Sequence, residues 1–184
     1  MSEQRIAFFT SRDGVKIAYA TYGPSEGQPL VFELAWMSQE SVWNYAEGRR
    51  FFAALGRGRR LVTYDRRGMG ASDPHAMPLD LDDEVADLLG LVDHLDLGEI
   101  DVFSMFGTVA IPYASRYPDR IRRLILWAPS PRHRAYPAAV HAMMRDAWNL
   151  FTRSAATVIC PSGPAEAQHW CVEAIRGSAA QQSS

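Results

Sequence analysis

The sequence predicts an α/β fold built on a mostly parallel β-sheet with flanking helices. Three observations support this: β-prone and helical segments alternate, an Asp-Gly pair separates the first two β-prone segments, and an acidic stretch begins the clearest helix. Neighbouring parallel strands need a long crossover, which an intervening helix supplies. The alternation therefore favours a parallel sheet covered on both faces, with an antiparallel hairpin at its N-terminal side.

The first third of the chain supplies the hairpin and the first parallel strands. The β-prone runs on either side of Asp13-Gly14 predict two paired strands, since Asp-Gly is a strong hairpin signal. The following segments are predicted as a strand at Leu30–Leu34, a loosely helical stretch at residues 42–56 and a strand at Arg60–Asp65.

The most regular helical pattern begins at Leu81, where Val85, Leu88 and Val92 recur at helical spacing. Acidic residues occupy its first turns, where the helix dipole favours negative charge. The elements predicted after it are a strand at Ile100–Phe103, a helix from about Gly107 to Tyr117 and a strand at Leu124–Trp127.

The character of the chain changes beyond Pro131. Two further helices are predicted at Ala138–Phe151 and Ala165–Ile175, separated by residues 157–164, and the small polar residues 177–184 predict a frayed tail. We therefore divide the chain into an α/β core at residues 1–130, a helical cap-like segment at 131–176 and a disordered tail at 177–184.

Composition and charge exclude several function classes. The chain is 47% hydrophobic and 22% charged, with a net charge of -2, so neither nucleic acid nor a membrane is an expected partner. No apolar run reaches the ~20 residues of a membrane span, and the N-terminal run is too short for a signal sequence, so we expect a cytoplasmic protein.

Cys160 and Cys171 lie outside any C-x-x-C pair and are expected to be free thiols. The five histidines show no metal-ligand spacing, and we expect neither a metal nor a cofactor.

Two motifs carry a family resemblance. Residues 65–72 read D-R-R-G-M-G-A-S and match D-x-R-G-x-G-x-S, while residues 113–121 read Y-A-S-R-Y-P-D-R-I and are similar to Y-A-x-x-Y-P-E-R-V. On these motifs, and on the order of strands and helices, roughly residues 5–130 resemble the α/β-hydrolases. The resemblance implies a serine hydrolase whose triad acid and histidine follow later strands. The chain stops before those strands and looks shortened at its C-terminal side.

The glycine-rich loop after the strand at Arg60–Asp65 is interpreted as structural. Gly68 and Gly70 allow backbone conformations closed to other residues. Asp65 and Arg67 can fix the loop through charge-assisted hydrogen bonds.

Ser104, in D-V-F-S-M-F-G, is the candidate nucleophile. The resemblance implies a G-x-S-x-G elbow, where small residues on both sides of the serine let the backbones pass, but Val102 and Phe106 stand at those positions. Counting back from the following helix places the nucleophile at Ser104, whereas counting forward along the strand places it near Phe106. The two counts differ by two residues, so the elbow looks shortened.

The resemblance also implies an oxyanion hole made of backbone N–H groups. Its donors map onto the amides of Trp36 and Met105, although Ala35 stands where relatives carry the glycine of an H-G pair.

A general base is harder to find. His133 follows the last core strand but lies between two arginines, His94 fits a helix end, and neither His169 nor Asp146 has a spacing that ties it to Ser104.

An apolar set would surround the predicted crevice and favour a small apolar or ester ligand, although each member also fits simple core packing. The set comprises Trp36, Met37, Trp43, Met105, Phe106, Trp127, Met143, Met144 and Trp148.

Three hypotheses follow. The first is a serine hydrolase that cleaves small carboxylic esters through an acyl-enzyme at Ser104. The second is a catalytically degenerate hydrolase-fold protein that binds an apolar ligand or a partner. The third is a fragment of a longer hydrolase, whose last strand would present an open sheet edge and favour self-association.

Overall fold

The computed structural model describes residues 4–35, 37–76, 80–127, 129, 147–159 and 165–180. A six-stranded sheet with strand order β1-β2-β4-β3-β5-β6 organises the described part of the chain. Its strands are β1 (Ile6–Thr10), β2 (Lys16–Tyr22), β3 (Gln28–Glu33), β4 (Arg59–Tyr64), β5 (Ile100–Ser104) and β6 (Ile121–Leu126). The described helices are α1 (Gln39–Asn44), α2 (Ala46–Leu55), α3 (Leu81–His94), α4 (Ala110–Arg116), α5 (Trp148–Ile159) and α6 (Ala165–Ala180), with a 3₁₀ turn at Pro118–Arg120.

The predicted mostly parallel sheet with an N-terminal antiparallel hairpin is confirmed. Strands β1 and β2 pair antiparallel, and β2 also pairs antiparallel with β4. Strands β4, β3, β5 and β6 run parallel to one another. Because β3 lies between β4 and β5, the carboxyl ends of three consecutive parallel strands meet at one edge.

Helices cover both faces of the sheet. On one face, α3 and α4 bury residues such as Val31, Val62 and Val102 in one apolar core. On the other face, α1 and α2 pack over residues such as Leu30 and Phe32, and Ala174 of α6 joins this second core. Asp80 caps α3 by accepting a hydrogen bond from the Asp82 amide at 2.9 Å, in agreement with the predicted acidic start.

Several boundaries differ from the sequence-based prediction. The predicted helix at residues 42–56 is two helices, which meet at the extended backbone of Tyr45. Helix α4 begins at Ala110 rather than near Gly107, since Gly107 has a left-handed φ of 71° that no right-handed helix accommodates. Strand β6 begins at Ile121, three residues before the predicted Leu124, because it pairs with β5 from Ile100 onward.

The C-terminal helices also differ from the prediction. Residues 157–159 were predicted to separate two helices, yet α5 continues through Ile159, and the predicted helical residues 138–146 lie outside the described part. Helix α6 extends to Ala180, four residues into the segment predicted to be a frayed tail. None of the helices in the described ranges is long and apolar enough to cross a membrane.

Candidate active site

The candidate site lies where β3 and β5 end side by side. Glu33 is the last residue of β3, Ser104 is the last residue of β5, and the two are in register across the parallel pair. Residues in register on neighbouring parallel strands point to the same face of the sheet. The candidate nucleophile therefore lies beside a carboxylate.

Both hydrogen-bonding functions of the Ser104 hydroxyl are used within the protein. Its Oγ donates to the Glu33 carboxylate and accepts the Gly107 N–H at 2.8 Å. Ser104 and Glu33 are each 0% exposed to solvent. As placed, the hydroxyl joins the end of β3 to the turn that follows β5 and does not face solvent.

Glu33 is an acid inside the apolar core. Burial raises the pKa of the Glu33 carboxyl, although the nearby Arg66 guanidinium and the Ser104 hydrogen bond act in the opposite direction. Arg66 is itself paired with the buried Glu84. One Glu33 oxygen, Oε1, has no hydrogen-bond partner among the described residues. The carboxyl is consequently easier to protonate than an exposed glutamate.

The turn between β5 and α4 differs from a nucleophile elbow in its backbone. A nucleophile elbow is a sharp, strained turn from strand to helix, with the serine at its exposed point. In the described part of the chain the non-glycine residues with left-handed φ are Ala35 and Asp96, so Ser104 is not one of them. Gly107 adopts the left-handed conformation, and a Cβ at this position would lie 2.6 Å from Ile111 Cδ1. The residue with a left-handed backbone conformation in this turn is thus a glycine, which has no side chain.

The loop after β3 keeps a strained backbone. Ala35, where the resemblance implied the glycine of an H-G pair, has φ of 56°, which costs a non-glycine residue roughly 1–2 kcal/mol. The Trp36 amide, predicted as an oxyanion donor, lies outside the described residues. Met105, the residue predicted to supply the other donor, follows Ser104 and is 6% exposed.

The residues that follow Ser104 pack in the second apolar core. Met37, Met105 and Phe106 belong to the second core, together with Trp170 of α6. Trp170 stacks on Tyr45 with ring centroids 4.7 Å apart, which packs α6 against the junction of α1 and α2. Met37, Met105 and Phe106, which belong to the predicted apolar set, therefore pack in the core. Met143, Met144 and the side chain of Trp148, also in that set, lie outside the described part of the structure.

A surface cleft of about 320 Å³ lies away from Ser104, between α5 and α6. Its polar lining consists of Arg153, Thr157, Gln168 and His169. The cleft is therefore a feature of the C-terminal helix pair and is not the apolar crevice expected at the strand ends.

The glycine-rich loop is held by buried hydrogen bonds. Asp65 accepts the Gln39 amide at 2.7 Å and the Ala71 amide at 2.9 Å. Burial raises the pKa of Asp65 to about 6 despite these bonds. Gly70 packs against this carboxylate so closely that a Cβ would lie 2.3 Å from Asp65 Oδ2. Asp65 therefore ties the loop to the start of α1.

Arg67 fixes the other side of the same loop. Its guanidinium donates to both Asp87 oxygens at 2.7 and 2.8 Å and to Asp13 at 2.9 Å. The Arg67 hydrogen bonds lower the pKa of Asp13 far below its ordinary value. Gly68, with φ of 73°, lets the chain turn immediately after this arginine. These contacts give the loop a structural role.

The candidate histidines do not meet Ser104 within the described residues. His94 lies at the end of α3, stacks on Phe9 and contacts the Tyr19 hydroxyl at 3.2 Å. His169 lines the cleft between α5 and α6, while His133 and Asp146 lie outside the described part. Cys171 is buried and forms no disulfide among the described residues, and Cys160 lies outside them. The described residues contain no group of three or more histidine, cysteine or acidic side chains that could hold a metal ion.

Sequence reasoning did not single out Glu33, the partner of Ser104. A signal was present, because Glu33 is the one charged residue in the apolar run Leu30-Val31-Phe32-Glu33-Leu34. A charge in a buried strand requires a polar partner, and the neighbouring strand end is where that partner has to come from.

Comparisons with known proteins agree with this architecture. Residues 32–161 match the model of the alpha/beta hydrolase fold family. A non-heme chloroperoxidase of Streptomyces lividans is 32% identical over 125 residues, and a 2-hydroxy-6-oxo-2,4-heptadienoate hydrolase of Pseudomonas putida is 34% identical over 103 residues. The crystal structure of a bromoperoxidase from Bacillus anthracis has a TM-score of 0.73 at 20% identity, covering 97% of this chain and 71% of that one.

The chain is shorter than these proteins. The matches cover 66% and 54% of this chain but only 44% of the chloroperoxidase and 37% of the Pseudomonas hydrolase. The matched segments therefore span less than half the length of these curated relatives.

Proposed function

This chain belongs to the α/β-hydrolase family. We propose that it uses the fold to bind an apolar ligand or a partner and does not hydrolyse esters through Ser104. The observation that carries the proposal is the placement of the serine hydroxyl. It is fully buried and already bonded to Glu33 and to the Gly107 amide. A serine nucleophile must reach a substrate carbonyl and pass its proton to a base, and this hydroxyl faces the protein interior.

The backbone of the following turn supports the same conclusion. Gly107, with no side chain, takes the left-handed conformation of this turn, and Ala174 and Trp170 of α6 pack in the same core as Met105. None of the histidines among the described residues contacts the Ser104 hydroxyl to accept its proton. We therefore expect any ester turnover by the chain to be independent of Ser104.

Activity-based labelling tests this proposal. The chain is incubated with a fluorophosphonate probe and, separately, with a short-chain p-nitrophenyl ester, beside Ser104→Ala and Ser25→Ala variants. Ser25 is the matched control because its hydroxyl is exposed in a loop. The expected result is no labelling of Ser104 and equal, near-background ester cleavage by all three proteins.

A second candidate function is a serine esterase that acts on small carboxylic esters. The left-handed Ala35 favours it, since that strained backbone is retained where relatives form the oxyanion hole. Ser104 would attack the ester carbonyl, and the Trp36 and Met105 amides would bind the oxyanion of the tetrahedral intermediate. Collapse of that intermediate would break the bond to the alkoxy group, which leaves as the alcohol with the serine proton, and water would then cleave the remaining acyl-enzyme to the acid. This route requires the segment from Met105 to Gly107 to release the Ser104 hydroxyl.

The same experiment separates the two candidates. Stoichiometric fluorophosphonate labelling that disappears in Ser104→Ala but persists in Ser25→Ala would establish the esterase and reject the binding proposal. A mass shift on the tryptic peptide that contains Ser104 would locate the acyl group.

A further inference from the structure

Three buried side chains form a polar row across the carboxyl ends of neighbouring strands. Tyr64 of β4 is in register with Glu33 of β3, which is in register with Ser104 of β5. Side chains in register on parallel strands point to the same face of the sheet. Tyr64 belongs to the core that α3 and α4 cover, and it is 2% exposed, while Glu33 and Ser104 are fully buried. The row therefore lies inside that core, away from solvent.

Arg66 stands at one end of this row. It follows Tyr64 by two residues, and its guanidinium is paired with Glu84 of α3, so its charge is balanced locally. Burial raises the pKa of the Tyr64 hydroxyl well above its usual range, and among the nearby charges Glu33 has the largest effect, followed by Arg66. Because such effects weaken with distance, the hydroxyl lies close to both groups.

Each of these three side chains has a buried polar atom without a hydrogen-bond partner among the described residues. The atoms are Glu33 Oε1, Tyr64 Oη and Arg66 Nε. The Ala110 amide of α4 approaches the same carboxyl, yet Oε1 stays unbonded within the described ranges. Buried polar groups in proteins are bonded to other protein groups or to ordered water, since an unmade hydrogen bond costs free energy. Three such atoms close together indicate one shared partner.

The chemistry of these atoms defines that partner. Arg66 Nε–H only donates, the Tyr64 hydroxyl donates and accepts, and a carboxyl oxygen accepts or, when protonated, donates. The partner must therefore accept one hydrogen bond and be able to donate another. An anion would face Glu33 and Glu84, and a cation would face Arg66, so a neutral molecule is favoured. Water meets these conditions, and buried waters typically make about three hydrogen bonds.

We infer that Glu33, Tyr64 and Arg66 enclose an internal binding site for a neutral, water-sized molecule that both donates and accepts hydrogen bonds. Ser104 bonds Glu33 Oε2, and the bound molecule bonds Oε1, so the molecule links the end of β3 to the segment after β4 and fixes the acid that holds the serine hydroxyl. A segment outside the described residues reaches these buried groups only if the core opens. The inference does not depend on what the fold binds or on whether Ser104 reacts, so it fails separately from the labelling experiment.

A crystal structure of the whole chain tests the site directly. The expected result is a single-atom density peak within hydrogen-bond distance of Glu33 Oε1, Tyr64 Oη and Arg66 Nε, without an anomalous signal. In Tyr64→Phe the peak should be lost or displaced, because one of its bonding partners is gone. In Tyr113→Phe the peak should remain, since Tyr113 is equally buried but lies on α4 and faces other charges, Arg120 and Asp93.

Urea unfolding gives a second, independent test. If the molecule is bound, Tyr64→Phe removes a buried hydrogen bond, and the transition midpoint should fall by about 0.4–1.2 M. If nothing is bound, loss of an unsatisfied hydroxyl leaves the midpoint unchanged or raises it. In a Glu33→Gln background the midpoint shift of Tyr64→Phe should change, because both residues share one partner. The shift of the control Tyr113→Phe should be the same in both backgrounds.

Three outcomes would overturn the inference. The first is the absence of an ordered molecule at this position in the crystal structure of the unmodified chain. The second is an anomalous signal or a multi-atom density there, which would identify an ion or a larger ligand as the occupant. The third is a urea midpoint for Tyr64→Phe that equals or exceeds that of the unmodified chain.

Discussion

Replacement of Ser104 by alanine should destabilise the fold, because the hydroxyl joins two buried groups. The variant leaves the Gly107 N–H without its acceptor, now 2.8 Å away, and leaves the Glu33 carboxylate without its donor. Each unsatisfied buried group costs about 1–3 kcal/mol. Allowing for partial rearrangement of the carboxyl, we expect a loss of about 2–4 kcal/mol in the free energy of unfolding.

Urea unfolding followed by circular dichroism measures this loss. With a slope of about 2.5 kcal/mol/M, the transition midpoint should fall by roughly 1–1.5 M in Ser104→Ala. Ser25→Ala, which removes an exposed hydroxyl, should change stability by less than about 0.5 kcal/mol. In a Glu33→Gln background the effect of Ser104→Ala should differ from its effect in the unmodified chain by about 0.5–3 kcal/mol, since residues in contact are coupled.

A catalytic serine at a strained turn has the opposite signature. Function there is often maintained at the expense of stability, so replacing such a serine leaves the fold unchanged or stabilises it. A midpoint for Ser104→Ala equal to or above that of the unmodified chain would therefore refute the structural role of the hydroxyl.

The remaining predictions concern the pH dependence of stability, the turn and the sheet edge. Because burial raises the pKa of Glu33, its contribution to stability is complete below the unfolded-state pKa and is lost as pH rises through the folded-state pKa. Glu33→Gln should thus gain stability relative to the unmodified chain as the pH in urea titrations rises above the ordinary pKa of glutamate, and an unchanged difference would contradict the burial argument. Gly107→Ala should lower the free energy of unfolding by about 1 kcal/mol more than Gly58→Ala, because both glycines have φ of 71° but only at Gly107 would the added Cβ clash with a neighbour, Ile111. Equal losses of stability in the two variants would contradict this clash. The outer edge of β6 predicts association that increases with concentration in light scattering, and a constant mass of 20.6 kDa up to about 200 µM would count against it.

The sequence was sufficient to predict the succession of strands and helices along the chain and the hairpin, because those signals are local. Period-two and helical spacings identify elements without knowledge of their partners. The end of α5 was not predictable in this way. Thr157, Val158 and Ile159 are β-branched residues with low helix propensity, but that cost is only a few tenths of a kcal/mol per residue, and tertiary context overrides it.

The candidate site was predictable in position but not in orientation. The motifs located Ser104 at the end of a strand, and the two conflicting counts along the sequence already indicated an altered turn. Whether the hydroxyl faces a crevice or the interior depends on Glu33, which is 71 residues away and pairs with it only through the sheet. No local sequence pattern indicates a hydrogen-bond partner that lies 71 residues away along the chain.

The position of β3 between β4 and β5 has a consequence during protein synthesis. One of the two strands that pair with β3 is β5, whose last residue is synthesised 71 residues after the last residue of β3. Synthesis of that intervening segment takes about 4–14 s at typical elongation rates. Until then Leu30, Val31 and Phe32 have no complete set of strand neighbours, although they are among the most buried residues of the finished protein. The nascent chain therefore exposes for seconds a strand that the finished protein buries, and chaperone capture on the ribosome should be strongest before Ser104 emerges.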